Sequence, residues 1–491
     1  MKKIIETLRK KDIDVLVFLL IVISGITLFV LVNCEDELWN FANCYKMFNG
    51  YKIYKELNVI ITPLFFYKAQ IFFKIFGSNM LVFRIYNSVI YTVLFLLIYQ
   101  IFKQLKITKL RAFLYITIIL PIFCGMIAGG GNYNILAIIP ILIAILLIFK
   151  EKQNNLLLGI LLFLTFLSKQ NIYVLFAIGI FLYKFSNKGD IKTKILDLSK
   201  IYIVSIIGIV AFCIYLYLDN NLYDFINYCF LGINEFGTNN VAISFWDALY
   251  LYISLIAIIF TIFALNNRKI KKCFNEITAK NVKVLLSFGI PLLLIAYPIA
   301  NYFHNTLGSI VILIELIYFL EEALIKDMQF KNKKGKILYI LTIFILVMYM
   351  DRGLVLAIFK NDNLILHKDK AFYGSYMYKE DYKDIQIICN YIKEQEKNNI
   401  DVKILSYKAN LYMVNLNKNN ELFDLAFLGN LGKGGENNLI NELKKLDNTI
   451  ILIQTDEEKI SWQESKKARN YIINNFIKLG EIQEYSIYYK K

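Results

Sequence analysis

Long apolar runs recur through this chain of 491 residues and constrain its fold more than any other feature. A helix needs about 20 apolar residues to cross a hydrocarbon core of roughly 30 Å, so the shorter runs must recruit flanking residues. With 57% hydrophobic and 19% charged residues, the chain is too apolar for a soluble globular protein. We predict an all-α polytopic membrane protein of about eleven spans: residues 13–33, 81–101, 112–128, 133–149, 156–168, 171–185, 199–218, 242–264, 284–300, 306–325 and 337–358.

The charge of the connecting loops alternates along the chain and predicts the orientation of the spans. Lys and Arg collect in the N-terminus and in residues 103–111, 150–152, 184–194, 268–283 and 326–336. The intervening loops, residues 129–132, 168–170, 219–241 and 301–305, contain one Lys, Lys169, and no Arg. Cytoplasmic loops of membrane proteins are enriched in Lys and Arg. We therefore expect a multi-pass cell-membrane protein with a cytoplasmic N-terminus.

This topology places two segments outside the cell membrane. The first is the loop of residues 34–80, within a membrane domain of residues 1–358. The second is residues 359–491, whose mixed helix and strand periodicities predict a small external α/β domain. Its predicted elements are helices at 381–396 and 464–479 and strands at 402–406, 449–454 and 485–489. The glycine-rich residues 429–435 lack the GK[ST] ending of a phosphate loop, so a flexible turn is expected.

Three consecutive acids, Glu35, Asp36 and Glu37, open the first external loop. Carboxylates so close together raise one another's pKa, which favours binding of a cation or proton, or a chemical role. A solvated cap on a membrane helix is the simpler alternative. Aromatic and aliphatic residues at helical spacing follow in two stretches, at 39–48 and 64–75, and indicate amphipathic helices along the membrane surface.

Several polar residues fall on the same predicted external side as the acids. They are Arg84, Asn132, Tyr133, Asn134, Lys169, Gln170 and His304. Each has an ordinary alternative, such as snorkelling for Arg84, a helix cap for Lys169 and an interfacial position for His304. A carboxylate facing cations suits general base catalysis on a substrate that contains lipid and phosphate.

Other classes of function are disfavoured by the residue content. The seven cysteines form no CxxC pair and the two histidines form no HExxH motif, so common zinc sites are not indicated. The formal charge of +16 lies mainly in short loops between apolar runs. We therefore expect the lipid bilayer as a partner and no nucleic acid.

The first loop resembles the signature of GT-C glycosyltransferases, in the bacterial branch of family 39 and aminoarabinose-transferase-like proteins related to protein O-mannosyltransferases. The resemblance lies in an acidic pair, a G-x-x-x-Y segment, a proline and a later arginine: Asp36-Glu37, Gly50-Tyr51-Lys52-Ile53-Tyr54, Pro63, Gly77 and Arg84. The segments Phe166-Leu167-Ser168-Lys169-Gln170 and Tyr297-Pro298 to His304 are also similar to stretches in such proteins.

The resemblance implies a polyprenyl-phosphate-linked sugar donor and transfer to an unknown glycan, lipid or protein acceptor. Asp36 would be the catalytic base, and Glu37 would support it or bind the acceptor. Glu35 leaves the register of the base open by one residue. The residues that would bind substrate or lipid phosphate are Arg84, Lys169, Gln170, His304 and Tyr54. Relatives in the oligosaccharyltransferase branch hold a divalent metal with further acids on other external loops. Here the turn at 129–132 has none, and Asp219, Asp224 and Glu235 lie in a later loop without a DxD pattern. We therefore expect no cofactor and favour an enzyme without a divalent metal over one that uses it.

Three other functions fit a polytopic chain. A lipid-linked-sugar flippase would show internal repeats and polar residues near the midplane, where Glu315 is the conspicuous charge. A polysaccharide polymerase would carry a large loop late in the chain. A membrane scaffold would tolerate a conservative change at Asp36.

Overall fold

The computed structural model describes residues 12–28, 35–128, 133–233, 245–266, 276–297, 300–322, 363–368, 371–423, 428–456 and 464–491. A bundle of apolar helices precedes a small domain that contains a sheet. The described bundle helices are α1 (Ile13–Leu28), α2 (Glu35–Phe48), α3 (Leu64–Phe76), α4 (Met80–Gln104), α5 (Lys109–Ala128), α6 (Tyr133–Phe149), α7 (Asn155–Ser168), α8 (Gln170–Ser186), α9 (Ile191–Leu218), α10 (Leu222–Ile226), α11 (Phe245–Asn266), α12 (Glu276–Leu292) and α13 (Tyr302–Leu320). A π-helical turn, Asn227–Leu231, follows α10, and a 3-10 turn, Leu293–Ala296, follows α12.

Polar caps set the starts of several bundle helices. At each of these helices a side-chain oxygen accepts a hydrogen bond from the backbone N–H three residues later, which satisfies a donor that the helix leaves unpaired. The capping residues are Asn79, Asn154, Asp190 and Asn301. Such a cap contributes about 1 kcal/mol to helix stability.

Six of the described helices are long and apolar enough to cross a membrane: α4, α5, α9, α11, α12 with its 3-10 turn, and α13. Four shorter apolar helices, α1, α6, α7 and α8, complete the set. These ten helices coincide with ten predicted spans. The eleventh span, 337–358, lies outside the described residues, as do the loop at 129–132 and the predicted domain boundary at 358. The prediction of a polytopic helical membrane fold is confirmed.

The two amphipathic stretches of the first loop form α2 and α3, as their spacing predicts. Helix α2 packs on α3, and α3 packs on the start of α4. The shared core is aromatic: the Phe41 and Phe83 ring centroids lie 5.6 Å apart, and those of Phe65 and Phe83 lie 6.1 Å apart. Each of these three side chains is completely buried, and burial of one Phe contributes about 1.5–3 kcal/mol. This core fixes the first loop on the bundle.

The C-terminal domain is a small α/β unit. It contains β1 (Leu364–Leu366), β2 (Tyr376–Tyr378), α14 (Lys379–Lys397), β3 (Asp401–Leu405), α15 (Ala409–Leu416), α16 (Glu436–Lys445), β4 (Thr449–Gln454), α17 (Lys466–Asn475), β5 (Ile477–Ile482) and β6 (Tyr485–Lys490). Strands β1 and β2 pair with each other, and the main sheet has the order β3-β4-β6-β5. Only β3 and β4 in that sheet are parallel. The predicted α/β class is confirmed.

The predicted helix at 464–479 is too long, because residues 477–482 form strand β5. Ile472, Phe476 and Leu479 keep helical spacing past the end of α17, which explains the error. The chain instead turns back and pairs with β6, with Ile477 opposite Tyr489. A sheet edge that is available for pairing therefore overrides the local pattern.

The C-terminal domain packs on the first loop of the bundle. The Phe41 and Phe372 ring centroids lie 5.5 Å apart, and the backbone N–H of Met80 donates to the Ala371 carbonyl at 2.8 Å. Lys46, which is buried, donates from Nζ to Asn410 Oδ1 at 3.0 Å. We call this end of the bundle the domain face. The acidic loop and the C-terminal domain thus share one side of the membrane domain, as the alternation of loop charges predicts.

Candidate active site

Asp36 lies in the first turn of α2 at the domain face. Its side chain is accessible to solvent although it lies among many protein atoms, as expected for a residue in a recess. Burial raises the pKa of the Asp36 carboxyl above its usual value, and the nearby positive charge of Lys169 opposes that rise. Among the described residues the carboxylate has no hydrogen-bond partner. A carboxylate that is accessible, unpaired and more basic than usual suits proton abstraction.

Lys169 provides the cation that faces Asp36. It lies at the junction of α7 and α8, where its extended backbone separates the two helices. The ammonium donates a hydrogen bond to Asn134 Oδ1 and lies 5.1 Å from the centre of the Tyr133 ring. Burial lowers the pKa of Lys169 to about 8, and the charge of Asp36 opposes that change. In the part of the chain that the structure describes, the hydrogen-bond partner and the aromatic neighbour of the ammonium are neutral, so its charge can face both Asp36 and an anionic ligand.

His304 reaches the same region from the start of α13. Asn301 Oδ1 accepts from the His304 backbone N–H at 2.9 Å and lies 2.8 Å from His304 Nδ1. Because this oxygen can only accept, Nδ1 carries the proton and Nε2 is the acceptor of the neutral ring. His304 is close enough to Lys169 for their charges to interact. The structure therefore brings Asp36, Lys169 and His304 together.

Glu37 and Arg84 form a buried ion pair. Arg84 Nε donates to Glu37 Oε1 at 2.8 Å, and Arg84 Nη2 donates to Oε2 at 2.9 Å. Arg84 also donates to the Leu28 carbonyl at 3.4 Å, which connects α1, α2 and α4. The side chains are only 1% and 2% exposed. This pair holds α2 against the bundle, and the predicted roles of Glu37 in catalysis and of Arg84 in phosphate binding remain predictions.

Gln170 and Tyr54 bind backbone groups of the domain face. Gln170 Nε2 donates to the carbonyls of Ile60 and Cys229, at 2.8 and 2.9 Å. The buried Tyr54 hydroxyl donates to the Ile61 carbonyl at 2.9 Å. Both side chains hold the loop that leads into α3, and their predicted contacts with substrate remain predictions.

An apolar groove of about 280 Å³ opens beside the Lys169 junction. Its lining comes from the start of α3, the end of α7 and the end of α9: Pro63, Leu64, Tyr67, Leu167, Phe212 and Tyr215. Leu167 lies two residues before Lys169, so the groove ends close to the site cation. A continuous apolar lining next to one cation suits an amphiphilic anion.

The sequence did not reveal the partners of these side chains. Asn301 fixes the His304 ring, and its position before α13 is a recognisable N-cap signal. Nothing in the sequence pairs Gln170 with Cys229, because that contact depends on the π-helical turn. In the described part of the chain, no group of three or more His, Cys, Asp or Glu residues is arranged to hold a metal ion.

Comparison with known proteins shows the fold and a family match. Residues 61–217 match the family model described as dolichyl-phosphate-mannose-protein mannosyltransferase, a segment that contains Arg84, Lys169 and Gln170 but neither Asp36 nor Glu37. No curated protein matches the chain by sequence. The chain is similar in structure to ArnT from Cupriavidus metallidurans, solved bound to undecaprenyl phosphate, with a TM-score of 0.54, 9% identity and 97% of each chain covered. The chain is therefore an integral-membrane protein with the GT-C fold, and the family match covers about a third of it.

Proposed function

We propose that this chain is a glycosyltransferase that moves a sugar from a polyprenyl-phosphate-sugar donor to an acceptor at the domain face. One observation carries this proposal: the accessible carboxylate of Asp36, which has no hydrogen-bond partner among the described residues, faces the Lys169 ammonium near an apolar groove. The undecaprenyl phosphate in the structurally similar ArnT and the polyprenyl donor in the family description support a donor of this class.

The donor's two parts match the two parts of the site. The polyprenyl chain occupies the groove beside Leu167, and the phosphate faces Lys169 and His304. A phosphodiester carries one negative charge, which the single ammonium of Lys169 balances. Glu37 and Arg84 neutralise each other, so Lys169 is the cation that we assign to the donor phosphate.

The reaction is a displacement at the anomeric carbon of the sugar. Asp36 takes the proton from an acceptor hydroxyl or amine, and the acceptor's oxygen or nitrogen forms a bond to the anomeric carbon. The bond from that carbon to the phosphate oxygen breaks, and its electron pair leaves with the polyprenyl phosphate. Lys169 offsets the second negative charge that develops on the leaving phosphate. We further propose that no divalent metal takes part and that the domain face is extracellular or periplasmic.

A flippase is less well supported. Glu315, the conspicuous charge of the predicted midplane, accepts a hydrogen bond from Thr261 at 3.1 Å and is completely buried between helices. A carboxyl that is paired in this way joins helices and does not line a path for a sugar.

Reconstitution in proteoliposomes tests the proposal. The purified protein is given radiolabelled sugars on polyprenyl monophosphate and on polyprenyl diphosphate, and release of the lipid phosphate is followed with and without an acceptor extract. We expect acceptor-dependent release from one monophosphate donor, and Lys169→Met should raise the KM for that donor. Movement of the intact donor across the bilayer, without release of sugar, would contradict a transferase.

A further inference from the structure

Gln170 connects two segments of the domain face to the Lys169 junction. Its two hydrogen bonds reach the carbonyls of Ile60, in the first loop, and Cys229, in the π-helical turn. Gln170 directly follows Lys169 in the chain, so these bonds also fix the backbone that carries the site cation. Gln170 is half-buried, so loss of either hydrogen bond would leave a polar group only partly compensated by solvent.

The π-helical turn is itself held from both sides. Cys229 is completely buried, and its thiol approaches the Val59 carbonyl at 3.8 Å. Asn227, the first residue of the turn, accepts a hydrogen bond on Oδ1 from the Lys433 backbone N–H at 2.8 Å. The turn thus lies between the first loop and the C-terminal domain.

The glycine-rich turn of the C-terminal domain, predicted to be flexible, docks on this π-helical turn. Gly432 adopts φ +69°, and a Cβ atom there would lie 2.5 Å from Asn227 Nδ2. A Cβ atom on Gly232 would in turn lie 2.8 Å from the Gly432 Cα. Asn438 holds the same loop by donating to the Leu431 and Lys433 carbonyls at 3.0 and 2.6 Å. Only glycine fits at this contact without displacement of a neighbour.

A reciprocal amide pair fixes the same loop to the first loop. Asn430 Nδ2 donates to the Asn58 carbonyl at 3.1 Å, and Asn58 Nδ2 donates to the Asn430 carbonyl at 3.3 Å. Both residues are buried. Asn58, which contacts Asn430, lies two residues before Ile60, and Asn227, which contacts Lys433, lies two residues before Cys229. The C-terminal domain therefore holds both segments whose carbonyls accept from Gln170.

We propose that residues 430–433, the positioning loop, set the geometry of the Lys169 site from outside the bundle. The loop fixes the π-helical turn and residues 58–60, and Gln170 passes that constraint to the neighbouring Lys169. Gly432, Asn227 and Gln170 are positioning residues. The inference rests on the proposed function in one respect, since Lys169 is taken there as the group that binds the donor's phosphate.

The test compares two glycine variants of the C-terminal domain. Gly432→Ala introduces the clash with Asn227. Gly480→Ala is the matched control, because Gly480 also has a positive φ, +158° against +69°, but nothing lies within 4 Å of its added Cβ, so this variant has backbone strain without a clash. We expect Gly432→Ala to raise the donor KM about fivefold to tenfold, as the loss of one or two buried hydrogen bonds implies, with little change in kcat. Asn227→Ala removes the acceptor of the Lys433 backbone N–H and should raise the KM in the same direction. Asn430→Ala is a second variant should Gly432→Ala fail to fold.

Hydrogen exchange gives a readout that does not depend on activity. The backbone N–H of Lys169 bonds to the Thr165 carbonyl, and that of Tyr173 bonds to the Lys169 carbonyl. Exchange at these amides should be faster in Gly432→Ala and unchanged in Gly480→Ala. If the wild type is active and both variants have its KM and its exchange rates, the positioning role of the loop is overturned. A different outcome separates the two proposals. If exchange is faster in Gly432→Ala but the wild type transfers no sugar, the link between the positioning loop and Lys169 is supported and the proposed function is contradicted.

Discussion

Breaking the Glu37–Arg84 pair should destabilise the bundle strongly. Both side chains are almost completely buried and make two short hydrogen bonds to each other, at 2.8 and 2.9 Å. Removing one partner leaves an uncompensated buried charge, which costs about 3–5 kcal/mol. Glu37→Gln and Arg84→Met should each lose about this much stability. The double variant buries no unpaired charge, so its loss should be smaller than the sum of the two single losses.

Unfolding of the purified variants in detergent, followed by tryptophan fluorescence, measures these differences. Asp219→Asn is the control, because Asp219 pairs with Lys52 at 2.7 Å on the surface, with side chains 36% and 49% exposed. We expect little change in its stability. An Arg84→Met variant of wild-type stability with a donor KM raised tenfold would refute the structural role and favour binding of phosphate by Arg84.

Three further predictions follow from the described geometry. The kcat/KM for the donor should rise with pH as Asp36 loses its proton, at a pKa above the usual carboxyl value, and should fall above about pH 8 as Lys169 loses its proton. A pH profile that is flat from about 5 to about 10 would contradict both assignments. Gly308→Ala should lower the unfolding temperature in detergent, because a Cβ there would lie 2.7 Å from the Leu292 carbonyl oxygen and overpacking typically costs about 1–3 kcal/mol. Gly25→Ala is the control and should leave that temperature unchanged, because nothing lies within 4 Å of its added Cβ. Sugar transfer should survive treatment with EDTA and should not increase with added Mg²⁺ or Mn²⁺, and a metal requirement would contradict the proposed mechanism.

The spans and their alternation could be predicted from the sequence because both depend on local properties. Apolar length fixes which residues cross the membrane, and loop charge fixes which ends lie together. That was sufficient to bring Asp36, Lys169 and His304 to one face. The helical spacing of aromatic residues was likewise sufficient for α2 and α3.

The pairing of side chains within that face could not be predicted. Topology gives the side of the membrane but not the rotation of each helix, so it did not distinguish Asp36, which faces the recess, from Glu37, which faces Arg84. The contacts of Gln170 depend on a π-helical turn that has no sequence signal. The docking of Gly432 depends on a neighbour more than 200 positions away, whereas composition alone suggests flexibility.

The single-turnover rate of sugar transfer by Asp36→Asn tests the central claim most directly. The variant keeps the shape of the side chain and removes the base, and Asp219→Asn again serves as the control for loss of a carboxylate at the protein surface. Binding of the donor is measured in parallel with a labelled polyprenyl-phosphate sugar. Loss of the general base predicts a rate about 10²–10⁴-fold below the wild type with binding of the donor retained. A rate equal to that of the control would contradict the assignment of Asp36 as the catalytic base.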